Sequence, residues 1–264
     1  METVMQQGFV LDNEMVYPVN YNSSYYACMK NEIIEGRQVL SMREFRLIRL
    51  LITQIVKNST DFKTYVVRIE ELADFLDIDS SNMYRDMSDI CRSLQQRIIS
   101  IKTNNPKQPW KNFNWLEKSE YDGKGNVILM LSNQLKPYLI ELNDFFTQYQ
   151  FKEISGFSSF YAARIYEILL SKIGQKYGSF QSVNGSVEIT LTFNELRTML
   201  GCENKIAENA NFKKRVIDFA VSQINDSENT RFKIRTEYKK MGRSFNSVIF
   251  HILSPAEFAL ISAE

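Results

Sequence analysis

Apolar and polar positions follow the same order in the two halves of the chain. In each half, a short stretch of alternating apolar residues, typical of a strand, runs directly into a stretch with apolar residues three and four positions apart, typical of an amphipathic helix. The first copy covers residues 65–76 and the second covers residues 189–200, an offset of 124 residues. Self-similarity at a fixed offset indicates a duplicated unit. The positions that coincide are Tyr65 and Ile189, Val67 and Leu191, Ile69 and Phe193, Leu72 and Leu196, Phe75 and Met199, Leu76 and Leu200, and Glu71 and Glu195.

The segments around the two copies agree as well. Amphipathic helices are predicted upstream, over residues 41–56 and 158–173, and Ser41 with Glu44 forms a capping-box pattern. Second helices are predicted downstream, one opened by Ser80 and Ser81 and the other opened by Asn209. Strand-like stretches follow each of these helices, over residues 98–103, 113–121 and 127–131 in the first half and over residues 232–238 and 247–253 in the second.

Helix, strand, helix, helix and hairpin is the order of a winged helix-turn-helix, whose last helix can enter a DNA major groove. The chain is therefore predicted to be an α+β protein with two tandem winged-helix domains related by internal duplication. Two unrelated α+β domains with a similar order of elements are the alternative. The predicted division is a flexible N-terminal segment (1–20), a winged-helix domain for dimerisation and secondary DNA contact (21–150), a winged-helix domain for principal DNA binding (151–253) and a C-terminal tail (254–264).

Charge is distributed unevenly between the two predicted domains. Residues 152–264 contain 15 Lys and Arg against 12 Asp and Glu, a net +3, which leaves 17 against 19, a net −2, for residues 1–151. Basic clusters are the electrostatic footprint of phosphate binding. One cluster is Lys213, Lys214 and Arg215, and a second cluster, opposed only by Glu237, is formed by Arg231, Lys233, Arg235, Lys239, Lys240 and Arg243.

The helix predicted over residues 211–225 is the candidate recognition helix of the second domain. At 100° per residue, one face collects Phe212, Val216, Phe219, Ala220 and Ile224, and the other collects Asn211, Lys214, Arg215, Asp218 and Ser222. Major-groove reading favours Arg on guanine and Asn on adenine. We therefore expect Asn211, Lys214 and Arg215, with Ser222 on the same face, to meet base edges, while Lys213 and the amides near Asn209 meet phosphate. In the hairpin, Arg235, Lys239, Lys240 and Arg243 are expected to straddle the phosphate backbone; an ordinary solvated face is the alternative.

The equivalent helix of the first domain, over residues 82–96, has an exposed face of mixed charge. We expect Asn82, Arg85 and Arg92 to make weaker DNA contacts, because Asp86 and Asp89 share that face. The first domain is alternatively a dimerisation unit. Its aromatic residues Trp110, Phe113 and Trp115 belong either to the core or to that interface.

Composition argues against several other classes of protein. The chain has one histidine, His251, whereas metal-dependent nicking needs clustered histidines beside a tyrosine nucleophile, and it has no GxxxxGK[ST] phosphate loop. Its three cysteines, Cys28, Cys91 and Cys202, are far apart and are expected to be buried thiols rather than metal ligands. We expect a soluble, cytoplasmic protein that is not an enzyme and needs no cofactor or metal; counting residues leaves a carboxylate-only nuclease open.

Several stretches in combination resemble one known family, the initiator Rep proteins of iteron-containing plasmids, of the RepA and RepE type. The likeness extends over about residues 20–253. The stretches that carry it are WKNFNW at 110–115, SSFYAARIYEIL at 158–169, FNELR from Phe193 running to Leu200 and Gly201, FKKRV at 212–216, and Gly242 with Arg243 before Ile249 and Phe250.

This resemblance implies two winged-helix domains that bind direct repeats of double-stranded DNA at an origin, with the second domain as principal reader. It also implies a monomer that initiates replication, a homodimer that represses its own gene, and a host replication initiator and helicase as partners. The short tail after Leu253 departs from longer relatives. A transcriptional repressor without a replication role, and a protein-interaction module that binds no DNA, are the competing functions.

Overall fold

The structure is a computed structural model that describes residues 7–11, 13–76, 78, 79, 81–103, 105–140, 142–178 and 187–262. Ser80, expected to open a helix, lies outside these residues. The elements up to residue 150 are β1 (Phe9–Leu11), β2 (Glu14–Pro18), β3 (Tyr26–Lys30), α1 (Asn31–Glu35), α2 (Met42–Thr53), β4 (Thr64–Arg68), α3 (Ile69–Leu76), α4 (Met83–Gln96), β5 (Ile98–Lys102), β6 (Trp110–Asn114), β7 (Leu116–Tyr121), β8 (Asn126–Leu131), a 3-10 turn (Asn133–Leu135), α5 (Lys136–Leu139) and β9 (Phe146–Gln150).

The elements after residue 150 repeat part of this order. They are α6 (Lys152–Ser155), α7 (Phe160–Tyr177), β10 (Val187–Thr192), α8 (Phe193–Leu200), α9 (Asn209–Phe212), a π-helical segment (Lys213–Asp218), α10 (Phe219–Asp226), β11 (Lys233–Met241), β12 (Ser244–Leu253) and α11 (Pro255–Ser262).

The duplicated winged-helix fold is confirmed by the sheet topology. In the first unit β4 pairs antiparallel with β8, which pairs with β7; in the second unit β10 pairs antiparallel with β12, which pairs with β11. Ile69 and Phe193, matched at the offset of 124 residues, each begin the first helix of a helix-turn-helix. The capping box of Ser41 and Glu44 is present, and Thr192 with Glu195 forms a second one. Local sequence chemistry therefore fixes where these helices begin.

The first unit contains strands that the repeat does not predict. The stretch predicted as one strand over residues 113–121 divides at Trp115, whose side chain is fully buried, so that β6 pairs with β5 and β7 pairs with β8. β3 and β9 form a further antiparallel pair. The β5–β6 hairpin is thus inserted between the recognition helix α4 and the wing strands β7 and β8.

Both ends of the chain differ from expectation. Residues 1–20 were expected to be a flexible segment, yet β1 and β2 extend the first sheet, because Val16 packs fully buried against Val66 and Ile128. Residues 254–264 were expected to be a tail, yet α11 forms over Pro255–Ser262 and packs on β11 and β12. Ser254 and Glu257 exchange hydrogen bonds at its start. Residues 1–6, 12, 263 and 264 lie outside the described part of the chain.

A buried ionic network joins α7 to the first unit. The Glu167 carboxylate accepts hydrogen bonds from Arg49 Nε at 2.6 Å and Nη2 at 2.9 Å, from Arg164 Nη1 at 2.7 Å and from the Tyr149 hydroxyl. Burial alone would raise the pKa of Glu167, but the two guanidinium groups outweigh burial and hold that pKa below its ordinary value. Arg164 also donates to the Gly36 carbonyl at 3.2 Å. The domain boundary predicted at residue 150 therefore lies before α7, a helix whose buried side chains contact both units.

Candidate nucleic-acid interface

The start of the second recognition helix, which comprises α9, the π-helical segment and α10, is fixed by hydrogen bonds. Asn209 Nδ2 donates to Ser244 Oγ at 2.9 Å and to the Phe245 carbonyl at 2.6 Å, and its Oδ1 accepts from Arg197 at 2.8 Å. Arg197 also donates to the Ile206 carbonyl at 2.8 Å. The Asn209 side chain therefore holds the helix against the wing.

The π-helical segment changes which residues face the core. An α-helix turns by about 100° per residue and an i→i+5 turn by only about 80°, so six such residues delay the buried face by roughly 120°. Phe219, which the α-helical wheel places in the core, is consequently 48% exposed, and that prediction is wrong. Residues turned inward are Phe212, Val216, Ile217, Ala220, Val221 and Ile224.

The outward face of this helix carries most of the predicted base-reading residues. Lys214, Arg215 and Ser222 are exposed, and Asn211 is half-buried with its amide donating to Glu208 Oε2 at 2.6 Å. The acidic residue of this face, Asp218, accepts a hydrogen bond from the Tyr238 hydroxyl. It also forms an ion pair of 2.7 Å with Lys213.

Lys213 differs from its neighbours in the basic cluster. Besides the ion pair with Asp218, its ammonium lies 4.3 Å from the centre of the Tyr238 ring. Burial, followed by the Asp218 carboxylate, raises the pKa of Tyr238 above its ordinary value. Because Lys213 neutralises Asp218, the exposed positive charge of the helix comes from Lys214 and Arg215.

The wing of the second unit is the β11–β12 hairpin, whose turn contains Gly242 at φ 64°. The register shifts between Lys239 and Lys240, which leaves these adjacent lysines and Arg243 all exposed near the tip. The Lys240 ammonium lies 5.0 Å from the Phe245 ring centre, so its stem lies along an aromatic side chain. Arg235 is exposed lower on β11, in register with His251 and on the sheet face opposite to the recognition helix, because Ile234 beside it is buried.

Two members of the basic cluster over residues 231–243 have structural partners. Arg231 forms an ion pair of 2.8 Å with Glu153 and donates to the Gln148 carbonyl at 3.1 Å. Lys233 donates to the carbonyls of Asn225 at 2.8 Å and Ser227 at 2.6 Å, at the end of the recognition helix. Burial lowers the pKa of Lys233 below its ordinary value. The other four cations of this cluster, Arg235, Lys239, Lys240 and Arg243, are exposed.

His251 lies on the outer face of the same sheet. Its Nδ1 is 3.1 Å from Glu188 Oε1, and its Nε2 is 3.6 Å from Glu237 Oε2. Within the described part of the chain, no three His, Cys, Asp or Glu side chains are grouped as metal ligands would be. The same residues include no helix long and apolar enough to cross a membrane.

The first recognition helix, α4, presents a weaker positive surface. Asn82 precedes α4 and donates to Ser81 Oγ at 3.1 Å. Arg85 and Arg92 are both 69% exposed at the side chain, and they lie 3.3 Å from Asp86 and 3.5 Å from Asp89. These ion pairs neutralise much of the local charge.

The aromatic residues expected either in the core or at an interface differ in their burial. Trp115 is fully buried, with the Arg49 guanidinium 5.3 Å from its ring centre. Phe113 is half-buried against Tyr138, with ring centres 5.4 Å apart. Trp110 is 61% exposed on the β5–β6 hairpin.

Comparisons with known proteins match the two units separately. The family model described as "Initiator Replication protein, WH1" matches residues 27–170, and the model described as "Initiator Rep protein, WH2" matches residues 192–252. A curated "Replication initiation protein" of Escherichia coli is 25% identical over 236 residues, which are 88% of this chain and 71% of that protein. A crystal structure of the Pi initiator protein in complex with iteron DNA has a similar fold, with a TM-score of 0.67 and 18% identity over 89% of this chain and 99% of that chain. The first match ends inside α7, the helix that joins the two units.

Proposed function

The chain belongs to the family of initiator replication proteins, and we propose that it initiates plasmid replication by binding directly repeated double-stranded DNA sites at an origin. The family is one of DNA-binding initiators, so the proposal assigns no catalytic residue and no cofactor. The structure of the similar Pi initiator contains iteron DNA, which supports direct repeats as the target.

The observation that carries the proposal is the face of the second recognition helix. Lys214 and Arg215 are exposed there, while Asp218 on the same face is neutralised by Lys213. An exposed Arg on a recognition helix can pair bidentately with guanine, and the exposed lysines of the adjacent wing suit phosphate. In this proposal Asn211, Lys214, Arg215 and Ser222 read bases, and Lys239, Lys240 and Arg243 near the wing tip contact the backbone. The sequence also predicts a backbone contact for Arg235, but that side chain lies on the sheet face opposite to the recognition helix and is not part of this contact set. Lys213, which the sequence predicts to meet phosphate, instead positions Asp218 and Tyr238 in this proposal.

The first unit has a supporting role in this proposal. Its recognition helix adds weaker contacts through Asn82, Arg85 and Arg92, because neighbouring acidic residues reduce the charge that it presents. The unit also provides contacts for a homodimer that represses the chain's own gene, while the monomer acts at the origin. A host replication initiator and helicase are the further partners that this function requires.

Footprinting on the DNA that adjoins the gene tests the proposal. Protection of direct repeats spaced by about two helical turns is expected, since one winged-helix recognition helix fits each successive turn of major groove. Protection of a single palindrome would instead favour a transcriptional repressor. Absence of any salt-dependent binding would overturn DNA binding altogether.

A plasmid assay then tests initiation itself. A plasmid with the gene and its adjoining DNA, and with no other origin, is expected to become established in the host. The Arg215→Ala variant should fail to establish it, and Lys57→Ala, which removes an exposed cation between α2 and β4, is the matched control. Establishment by both variants alike would contradict the proposal.

A further inference from the structure

An exposed aromatic side chain lies on the outward side of the second recognition helix. Phe219 is 48% exposed, whereas the other phenylalanine of this helix, Phe212, is fully buried. Phe219 stands one turn after Arg215 and three residues before Ser222, and the Ser222 hydroxyl donates to the Phe219 carbonyl at 2.9 Å. Phe219 therefore shares its face with residues proposed to meet DNA bases.

The π-helical segment is the cause of this placement. With ordinary α-helical geometry Phe219 would lie beside Phe212 in the core, but the slower rotation over Lys213–Asp218 turns it outward and turns Ile217 and Val221 inward. A single-turn π segment has a cost in helix geometry, and such segments occur frequently at functional sites. Here the segment exchanges a core position for an exposed aromatic one.

The chemistry of the major groove identifies what an exposed phenylalanine can recognise there. Thymine is the base that presents a methyl group, at C5, in that groove, and apolar side chains contact it. A phenyl ring offers no hydrogen bond to the other base edges, and it gains from removing the methyl group from water. We propose that Phe219 is a specificity-determining residue that recognises a thymine methyl group, an inference that rests on the proposed function.

The spacing along the helix locates that thymine relative to the base read by Arg215. Four residues of α-helix rise about 6 Å and the π-helical segment rises less, so the separation corresponds to roughly one to two base-pair steps of about 3.4 Å. The structure thus assigns a pair of preferences to one face of the helix. A guanine meets Arg215, and a thymine one to two steps away meets Phe219.

A uracil scan of the protected site tests this assignment. Each thymine is replaced in turn by deoxyuridine, which pairs in the same way but lacks the methyl group, and the Kd of each duplex is measured. One thymine per repeat is expected to show a loss of about fourfold, the value of one buried methyl-sized group. In Phe219→Ala the affinity for the unmodified site should fall by about tenfold, and the uracil penalty at that thymine should disappear.

Two further variants make the scan specific. Phe219→Leu retains an apolar side chain and is expected to keep part of the uracil penalty. Phe9→Ala removes a phenylalanine of matched exposure, 47%, from β1 and should leave both the affinity and the penalty as in the parent. Circular dichroism of each variant establishes that the helix content is retained.

The outcomes separate this inference from the proposed function. Sequence-specific binding with a penalty that persists in Phe219→Ala, or with no penalty at any thymine, would overturn the role of Phe219 alone. If the parent protein binds no DNA sequence specifically, the proposed function fails and the inference fails with it.

Discussion

Replacement of Glu167 by glutamine is expected to lower the free energy of unfolding by about 3–5 kcal/mol, because it removes the charge that holds two buried guanidinium groups. Glu167, Arg49 and Arg164 have side chains with no exposed area. In the variant, an amide NH2 group, which can only donate, would replace a carboxylate oxygen that accepts hydrogen bonds from the arginines. A loss of this size is a large fraction of the roughly 5–15 kcal/mol that typically stabilises a domain.

Urea unfolding at neutral pH, followed by circular dichroism, measures the loss. The matched control is Asp89→Asn, which removes the exposed pair of Asp89 and Arg92, 61% and 69% exposed, and should change the free energy by less than about 0.5 kcal/mol. If Glu167→Gln cost no more than this control, the network would not contribute to the stability of the fold.

The same variant has a defined pH dependence. The pKa of Glu167 in the folded chain lies below the ordinary value of 4.5, so its ionised form contributes stability that is present above pH 4.5 and is lost as the pH falls through the lower, folded-state pKa. The difference in unfolding free energy between the parent and Glu167→Gln should therefore shrink below pH 4.5. A constant or growing difference in acid would contradict the assignment of a charged Glu167.

Three further predictions concern DNA binding and the contact between the units. Arg215→Ala should cost about 1–3 kcal/mol at the specific site and relax selectivity, and equal losses at cognate and random duplexes would mean that Arg215 does not read a base. Lys240→Ala should weaken binding to all sequences alike and reduce the salt slope by about 1, whereas a loss confined to the cognate site would argue against a phosphate contact. Gly201→Ala should destabilise the fold more than Gly178→Ala in urea unfolding. Both glycines have positive φ, but a Cβ on Gly201 would lie 2.7 Å from the Gln38 carbonyl oxygen, whereas a Cβ on Gly178 would meet open space. Equal losses of unfolding free energy in the two variants would contradict that contact.

The duplicated fold could be predicted from sequence because its determinants are local. Alternating apolar residues end where Ile69 and Phe193 begin helices, and the Ser41 and Glu44 capping pattern marks a helix start that the structure reproduces. Such signals depend on neighbours within one helical turn. These signals are present in both copies because each copy buries the same apolar face of its strand and helix.

Distant contacts account for what the sequence did not reveal. The π-helical segment that exposes Phe219 follows no local motif, and a regular wheel assigns this residue to the core. Arg231 belongs to a basic cluster in sequence, but its partner Glu153 is 78 residues away. β2 pairs with β4, although β3, α1 and α2 lie between them in the chain. The apolar residues of the N-terminal strands therefore do not predict which strand they pair with.

The central claim is that the second recognition helix is the principal reader of the DNA site. A competition titration between the footprinted duplex and a scrambled duplex of equal length tests it, with the parent, the Lys214→Ala/Arg215→Ala variant and the Arg85→Ala/Arg92→Ala variant. The parent should prefer the cognate duplex by about 10³-fold or more, the second-unit variant should lose most of that preference, and the first-unit variant should keep most of it. A larger loss of preference in the first-unit variant would contradict the account.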